Sequence, residues 1–208
     1  MVIDLIGDSI FALWNAPEPQ PDHAARACRT ALALHAKLLK FDEANDGAPL
    51  RTRVGLHRGT VCVGNVGSSQ RFNYTAIGDA VNLASRLEGL NKQLGTDILA
   101  TRDIQREVER VLTTRLVGQF RFKGFDQVAE VHELMGPAVP EPAWLGEFRG
   151  ALRHFQRRGW PEAEAGFARV LAGRPQDGPS KFYQEQIAAL RANPPPEDWM
   201  GEVDLREK

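Results

Sequence analysis

The chain has 208 residues, of which 42% are hydrophobic and 25% charged, and its formal net charge is -1. This composition provides enough apolar side chains for a globular core and lacks the basic excess typical of nucleic-acid-binding domains. Two cysteines, Cys28 and Cys62, offer neither a disulfide framework nor a metal-ligand spacing, and no run reaches the roughly 18 apolar residues that span a bilayer. We therefore expect a globular protein with both cysteines in its core, no nucleic-acid partner and no membrane segment in these residues.

The chain begins with a predicted hairpin and a predicted helix. Residues 1–14 (MVIDLIGDSIFALW) form two apolar runs broken at Gly7-Asp8, which is typical of a hairpin whose turn presents a carboxylate. Over residues 24–41 apolar side chains recur at steps of three and four, so one stripe of a helix faces a core. Asp22 is positioned to cap that helix.

Strands and helices continue to alternate up to residue 134. Residues 51–57 and 60–66 carry strand patterns on either side of Arg58-Gly59, which predicts a second hairpin. The later elements are a strand over 97–100, a helix over 102–110 and a strand pair over 112–134 that turns at Lys123-Gly124. This order predicts an α/β (α+β sandwich) fold with a mixed sheet.

A change of composition at GPAVPEP (136–142) predicts a domain boundary. We predict a first domain over 1–136, a linker over 137–143 and a helical extension over 144–208. Two apolar helices over 144–155 and 163–171 resemble one tetratricopeptide-type (TPR-like) unit, and a third helix follows over 181–191. Because a lone unit cannot bury its own faces, we expect the extension to pack on the first domain or on a partner.

The stretch NYTAIGDAVNLASRLEGLNK (73–92) carries the most informative polar pair. Asn82 and Arg86 lie four residues apart on a predicted helix, so both side chains share one face and can converge on an anion. The alternative is an ordinary exposed polar pair, since such spacings are common on solvated helices. Asp79, after Gly78, is predicted to cap this helix.

This stretch, with GLHRGTVCVGNVGS before it and FRFKGFDQVAEVHEL after it, resembles the catalytic domain of class III adenylate and guanylate cyclases over about residues 2–135. The resemblance implies a wreath-like homodimer, usually head to tail, with two active sites at its interface. It also implies conversion of a nucleoside triphosphate to a 3′,5′-cyclic monophosphate and pyrophosphate, with two Mg²⁺ or Mn²⁺ ions held by carboxylates.

The resemblance assigns a role to individual residues. Asp8 matches a metal-binding aspartate, Arg86 the arginine that stabilises the transition state, and Asn82 the residue that orients the ribose. Lys123 matches the lysine that holds the terminal phosphates. In the family, Asp8 of one subunit would face the other three residues on the second subunit, so an isolated monomer is expected to be inactive.

Two residues lie at positions that affect whether adenine or guanine is bound. Thr75 lies where the family recognises the base, and threonine there is an adenylate-type variant. Asp4 stands where adenylate-type members usually have lysine, and a carboxylate suits the donor edge of guanine better. We predict ATP as substrate, with GTP as the alternative.

The sequence also departs from the family at its start, because the strand with the first metal aspartate is absent. We therefore expect an incomplete metal site and the loss of an interior strand, so the chain is either an N-terminally truncated enzyme or an inactive cyclase-like module that dimerises or binds nucleotide. The tail resembles the C-terminal extension of bacterial receptor cyclases with a CHASE2-type sensor, which implies the cytoplasmic part of an inner-membrane receptor. A third possibility is an interaction protein that works through this helical tail.

Overall fold

A computed structural model describes residues 2–45, 47, 49–68 and 71–205. Within these residues the chain forms nine strands and six helices. In chain order they are β1 (Val2–Ile6), β2 (Ser9–Ala12), α1 (His23–Glu43), β3 (Val54–Leu56), β4 (Cys62–Ser68), β5 (Arg71–Ile77), α2 (Asp79–Leu94), β6 (Ile98–Thr101), α3 (Arg102–Val108), β7 (Leu112–Phe122), β8 (Val128–Pro137), α4 (Ala143–Gln156), α5 (Trp160–Gly173), α6 (Gly178–Ala192) and β9 (Val203–Leu205).

The strands form one five-stranded sheet and two two-stranded sheets. The large sheet has the order β3-β6-β8-β7-β9 and is mixed, because β3 pairs in parallel with β6 and β7 with β9 while the other pairs are antiparallel. The small sheets are the antiparallel pairs β1–β2 and β4–β5. The predicted α/β class and the mixed sheet are confirmed.

Helices cover both faces of the large sheet. Because successive side chains of a strand point to opposite faces, Leu99 of β6 packs with α2 and the C-terminal helices, while Ile98 and Ala100 pack with α1 and α3. Small side chains of α1, among them Ala27 and the fully buried Cys28, allow that helix to approach the sheet closely. Cys62 is exposed, so the prediction that both cysteines lie in the core is wrong for this one.

The predicted first hairpin is confirmed, and the second one is wrong. β4 pairs instead with β5, in a continuous register from Cys62↔Ile77 to Ser68↔Arg71. β5 was not predicted, because residues 71–77 resemble the approach to a helix more than a strand. β3 lies within the main sheet, where its Gly55 packs against α2: a Cβ on Gly55 would lie 2.1 Å from the carbonyl oxygen of Ala84.

The predicted helix caps differ in detail. Asp22 is the N-cap of α1 but makes no capping hydrogen bond, because its carboxylate accepts hydrogen bonds from Arg26 and Arg29 instead. Asp79 is the first residue of α2 and Gly78 is its N-cap, so the prediction that Asp79 caps this helix is wrong. Both carboxylates still lie at the positive end of a helix dipole, where a negative charge is stabilising.

The C-terminal extension packs on the first 136 residues. Phe148, Phe155 and Phe167 of the extension join the same buried cluster as Leu90 and Phe120. The three predicted helices correspond to α4, α5 and α6, whereas β9 was not predicted. The division at 137–143 and the TPR-like character stay predictions, and the structure adds that the two parts share one core.

Two close contacts fasten the extension to the sheet. The Tyr183 hydroxyl donates a 2.7 Å hydrogen bond to the Val117 carbonyl oxygen in a fully buried position. A Cβ at Gly118 would lie 2.0 Å from that hydroxyl, so only glycine leaves room for the bond. Arg115 forms a buried ion pair of 2.7 Å with Asp177 at the start of α6.

Candidate active site

Asp8 lies at the tip of the β1–β2 hairpin. Ile6 pairs with Ser9, so Gly7 and Asp8 form a two-residue turn, and the φ of 64° at Gly7 is a value that glycine adopts without strain. Asp8 is exposed and makes no hydrogen bond or ion pair within the described part of the chain. Its carboxylate is therefore available to a ligand.

Asn82 and Arg86 lie on the outward face of α2. The opposite face of this helix packs into the core through Leu87, Leu90 and Leu94. Both Asn82 and Arg86 are exposed, and neither side chain contacts a polar partner among the residues described. The helix thus presents an amide and a guanidinium one turn apart, as the spacing predicts.

Two residues that the sequence analysis did not identify fix the position of α2. Gly55 lets β3 approach the helix backbone at Ala84, two residues before Arg86. The buried Asn91 donates from Nδ2 to the carbonyl oxygens of Val54 and Leu87, both at 3.1 Å. A glycine inside a short strand is the available sequence signal, because it often marks a close backbone approach.

Lys123 begins the turn that joins β7 to β8. The Phe125 amide donates to the Phe122 carbonyl oxygen at 3.1 Å, which closes this turn. Arg121 donates from Nη1 to the carbonyl oxygen of Asp126 at 2.9 Å. The Lys123 ammonium is exposed and has no partner in the described residues.

The two residues expected to contact the base lie on neighbouring elements. Thr75 is half-buried on β5, opposite Gly64 of β4, and β5 contacts β1. Asp4 is half-buried on β1, where its Oδ1 accepts a 2.9 Å hydrogen bond from the Leu5 amide. One oxygen of the Asp4 carboxylate is thus already engaged by the main chain.

A large cleft of about 740 Å³ lies between β2 and β3. Its walls include Phe11 and Trp14 on one side and Leu56 and His57 on the other. None of the six predicted site residues lines it. Burial lowers the pKa of His57, whose Nδ1 lies 2.9 Å from the Thr101 hydroxyl.

The structure therefore brings some predicted residues together and leaves others apart. Asn82 and Arg86 share a helix face, and Thr75 lies on the strand next to the hairpin that carries Asp4 and Asp8. Lys123 lies on a separate turn of the large sheet. Neither the large cleft nor a second cavity, between α4 and α5, is lined by any of the six in one copy of the described chain.

Residues 1–134 match the model of a protein family, the adenylate and guanylate cyclase catalytic domain. The chain belongs to this family. Adenylate cyclase 1 of Rhizobium meliloti (strain 1021) is 43% identical over 138 residues, which make up 65% of this chain and 21% of that relative. The adenylate cyclase of Anabaena cylindrica is 36% identical over 145 residues, or 62% of this chain and 27% of the relative.

The fold agrees with that of a solved cyclase. The crystal structure of the adenylyl cyclase CyaB from P. aeruginosa matches with a TM-score of 0.57 and 26% identity, over 68% of this chain and 74% of the other. By contrast, the chain spans only about a fifth to a quarter of the length of the two curated relatives. The family membership thus concerns the catalytic domain.

The family implies a divalent metal ion, which requires a cluster of ligating side chains. Among residues 2–45, 47, 49–68 and 71–205, no three His, Cys, Asp or Glu side chains cluster in a way that could hold an ion. Asp8 provides one free carboxylate, so one copy of the described chain does not form a complete site. None of the helices in these ranges is long and apolar enough to cross a bilayer.

Proposed function

We propose that this chain is an adenylate cyclase domain that converts ATP to 3′,5′-cyclic AMP and pyrophosphate at a homodimer interface. The main support is the outward face of α2 in a chain of the cyclase family. There Asn82 and Arg86 are exposed and free of partners, on a helix that Gly55 and Asn91 hold firmly against the sheet. A helix held this firmly fixes the positions from which both side chains reach a substrate, which lowers the ordering cost of binding.

The reaction requires charge to be balanced on the phosphate chain. The ribose 3′-hydroxyl gives its proton to solvent as its oxygen forms a bond to the α-phosphorus. The bond from that phosphorus to the β-bridging oxygen breaks, and pyrophosphate leaves with that electron pair. Negative charge builds up on the phosphoryl oxygens, and the Arg86 guanidinium provides a matching positive charge there. Asn82 hydrogen-bonds the ribose and orients its 3′-hydroxyl, while Lys123 binds the terminal phosphates.

Asp8 is proposed as a metal ligand, although its carboxylate alone does not make a site. A hard cation such as Mg²⁺ or Mn²⁺ prefers carboxylate oxygens, which fits Asp8 as one member of a larger set. Two such ions on a phosphoryl group stabilise the attacking and leaving oxygens when bound. The described residues of one copy form no cluster of three such ligands, so Asp8 would need further ligands beside it.

Adenine is proposed as the preferred base. Thr75 provides a hydroxyl that can donate to an adenine acceptor or accept from its amino group. The Asp4 carboxylate, which would favour guanine, already accepts the Leu5 amide with one oxygen. The relatives from Rhizobium meliloti and Anabaena cylindrica carry the name adenylate cyclase, which points the same way.

The homodimer is supported by the position of exposed apolar side chains. Leu5 and Ile10 on the first hairpin and Phe72 and Ile77 on β5 are all more than half exposed. Exposed large apolar side chains on these two elements are candidates for coverage by a protein partner. A second copy that covers these side chains would bring two sets of site residues together.

Product formation tests this proposal. The chain is incubated with ATP or GTP in the presence of Mn²⁺ or Mg²⁺, beside Asp8→Ala, Arg86→Ala and the control Lys92→Ala on the same helix. Loss of one oxyanion-stabilising donor typically lowers kcat by about 10²–10³, so Arg86→Ala should be almost inactive. Lys92 is exposed in the last turn of α2 and its variant should keep the parent rate.

The outcomes separate the candidate functions. Cyclic AMP that disappears in both site variants and persists in the control supports the adenylate cyclase, whereas cyclic GMP as the main product supports the guanylate alternative. A folded dimer that binds ATP without making product would support the alternative of an inactive cyclase-like module. A folded chain that neither binds nucleotide nor dimerises would refute all three and favour an interaction role for the extension.

The cellular location follows from the same proposal. The resemblance of the tail to receptor cyclases supports a domain on the cytoplasmic side of a membrane receptor, where ATP is available. Fractionation of cells that express the natural gene, followed by immunodetection of this domain, tests the location.

A further inference from the structure

After α6 the chain returns to the large sheet, next to the strand that leads to Lys123. β9 pairs in parallel with the end of β7, with Phe120 opposite Val203 and Phe122 opposite Leu205. Val203 is only 5% exposed and belongs to the main buried cluster. We call residues 199–205 the C-terminal latch. The last residues of β7 thus have a strand on each side, since β8 pairs with them as well.

Arg121 connects the latch to the Lys123 turn. Its Nη1 donates to the Asp126 carbonyl oxygen in that turn at 2.9 Å. Its Nη2 lies 3.4 Å from Oε1 of Glu202 in the latch. Both Arg121 and Glu202 are partly buried, which shields this contact from solvent in part. One side chain therefore joins the latch to the turn that contains Lys123.

Trp199 anchors the latch to the helical extension. Its ring centroid lies 5.5 Å from that of Phe155 and 5.7 Å from that of Trp160. Its indole Nε1 donates a 2.7 Å hydrogen bond to the Glu202 carbonyl oxygen. At Gly201, with φ of 95°, a Cβ would lie 2.7 Å from the side chain of Gln156, so the latch rests directly on α4. These contacts fix the position of Glu202.

We infer that the C-terminal latch positions Lys123 for the terminal phosphates of the substrate, with Arg121 and Glu202 as positioning residues. This inference rests on the phosphate-binding role proposed for Lys123. A lysine in an exposed turn has many rotamers, and its attraction for a phosphate depends on how well the turn is held. The latch restrains this turn through the β7–β9 ladder and through Arg121. The helical extension thus acts on the active site through its last strand.

Binding of inorganic tripolyphosphate tests the inference without requiring turnover. Calorimetry on the 208-residue chain compares the parent with Glu202→Ala and with the control Glu164→Ala, whose carboxylate pairs with Arg191 on the exposed side of the same extension. We expect Glu202→Ala to raise the Kd about three- to tenfold and the control to leave it unchanged. Steady-state kinetics should show the same increase in the KM for ATP, with kcat within about twofold of the parent.

A double variant distinguishes positioning from general destabilisation. If the latch acts through Lys123, then Glu202→Ala adds nothing to the weaker binding of Lys123→Ala, because the group that it positions is gone. An additive loss in the double variant would overturn the inference, since the latch would then act by another route.

The remaining outcomes separate this inference from the proposed function. If the parent and Glu202→Ala bind tripolyphosphate with equal affinity, the inference about the latch is refuted and the cyclase proposal is unaffected. If the parent does not bind tripolyphosphate, or if Lys123→Ala binds it as tightly as the parent, the proposed roles of Lys123 and of the latch are both refuted.

Discussion

Gly55 shows how one residue can position the candidate active site. A side chain there would meet the Ala84 carbonyl oxygen at 2.1 Å and the Glu88 amide nitrogen at 2.5 Å, on either side of Arg86. Both atoms belong to the backbone of α2, so the clash can be relieved only if the helix moves. The position of Arg86 is thus linked to a residue on another element that carries no functional group.

We predict that Gly55→Ala lowers the free energy of unfolding by about 1–3 kcal/mol, as overpacking of a core typically does. Gly89→Ala, within α2, is the matched control. A Cβ added at Gly89 would have no neighbour within 4 Å outside its own helix backbone, and replacing an interior helical glycine is expected to stabilise by about 0.5–1 kcal/mol. Urea unfolding of the two variants measures both effects. Equal stability of Gly55→Ala and the parent would contradict the close approach of β3 and α2.

His132 links stability to pH. Its ring is almost fully buried on β8. The ring Nε2 lies 2.8 Å from the Glu130 carboxylate, and this carboxylate also pairs with Arg102. The ring Nδ1 has no partner among the described residues. Burial lowers the pKa of His132 below its usual value. Between that lowered pKa and the usual one the unfolded chain binds more protons than the folded chain, so stability falls as the pH is lowered through this window.

The prediction is therefore that the free energy of unfolding decreases between about pH 7.5 and pH 5.5, the range over which a histidine with a usual pKa of about 6.5 becomes protonated in the unfolded chain. His132→Gln cannot titrate, so its unfolding free energy should change less steeply with pH, whatever its absolute stability. Denaturant unfolding at several pH values gives the two slopes. Identical slopes would show that protonation of His132 is not coupled to folding. His57 has a lowered pKa for the same reason and should retain part of the slope.

At the level of elements, the docking of α6 depends on a buried charge pair. Asp177 pairs with Arg115 at 2.7 Å and also accepts the Ser180 amide at 3.0 Å, which caps the start of the helix. The Arg115 guanidinium lies 4.7 Å from the ring centroid of Phe148, and Glu133 binds its other side. A carboxylate that joins two parts of the chain and caps a helix should be costly to remove.

We predict that Asp177→Ala lowers the free energy of unfolding by about 3 kcal/mol, because it leaves a buried guanidinium with one partner fewer and removes a helix cap. Glu164→Ala breaks the exposed pair with Arg191 and should change stability by less than about 1 kcal/mol. Thermal and urea unfolding provide the comparison. If both variants lose the same amount, the Arg115–Asp177 pair does not hold the extension to the sheet.

At the level of the whole molecule, the proposed active site requires two copies of the chain. Asp8 lies on a hairpin that is separate from the five-stranded sheet, and Asn82, Arg86 and Lys123 lie on elements packed against or within that sheet. The head-to-tail arrangement proposed from the family brings Asp8 of one subunit to these residues of the other. In a dimer of one Asp8→Ala and one Arg86→Ala subunit, both substitutions therefore fall in the same site and the other site is intact.

Mixing two inactive variants should therefore restore activity. In an equal mixture of Asp8→Ala and Arg86→Ala about half of the dimers are mixed, and each has one intact site, so about a quarter of the parent activity is expected. Cyclic AMP formation after the subunits have exchanged measures this recovery. Mixing Asp8→Ala with an Asp8→Ala,Arg86→Ala double variant gives no intact site and is the control. Without recovery in the first mixture, the two residues do not act across a dimer.

Much of this protein could be predicted from local sequence. Gly7-Asp8 between two apolar runs determines a hairpin with an exposed carboxylate, and the apolar period of 79–94 determines which residues of α2 face outward. The residues with proposed chemical roles lie on such local elements, which is why their exposure and spacing follow from the pattern. Their roles themselves rest on the motifs of the family.

The pairing of strands and the docking of the extension were decided by tertiary contacts. β3 and β4 are neighbours in sequence and carry strand patterns, yet each pairs elsewhere, because Gly55 fits β3 against α2 and residues 71–77 provide the partner for β4. β9 has three residues and gains its stability from β7 and the aromatic contacts of Trp199, so its own sequence gives little signal. Periodicity reports which face of an element is buried, whereas the partner of that face depends on residues far away in the chain.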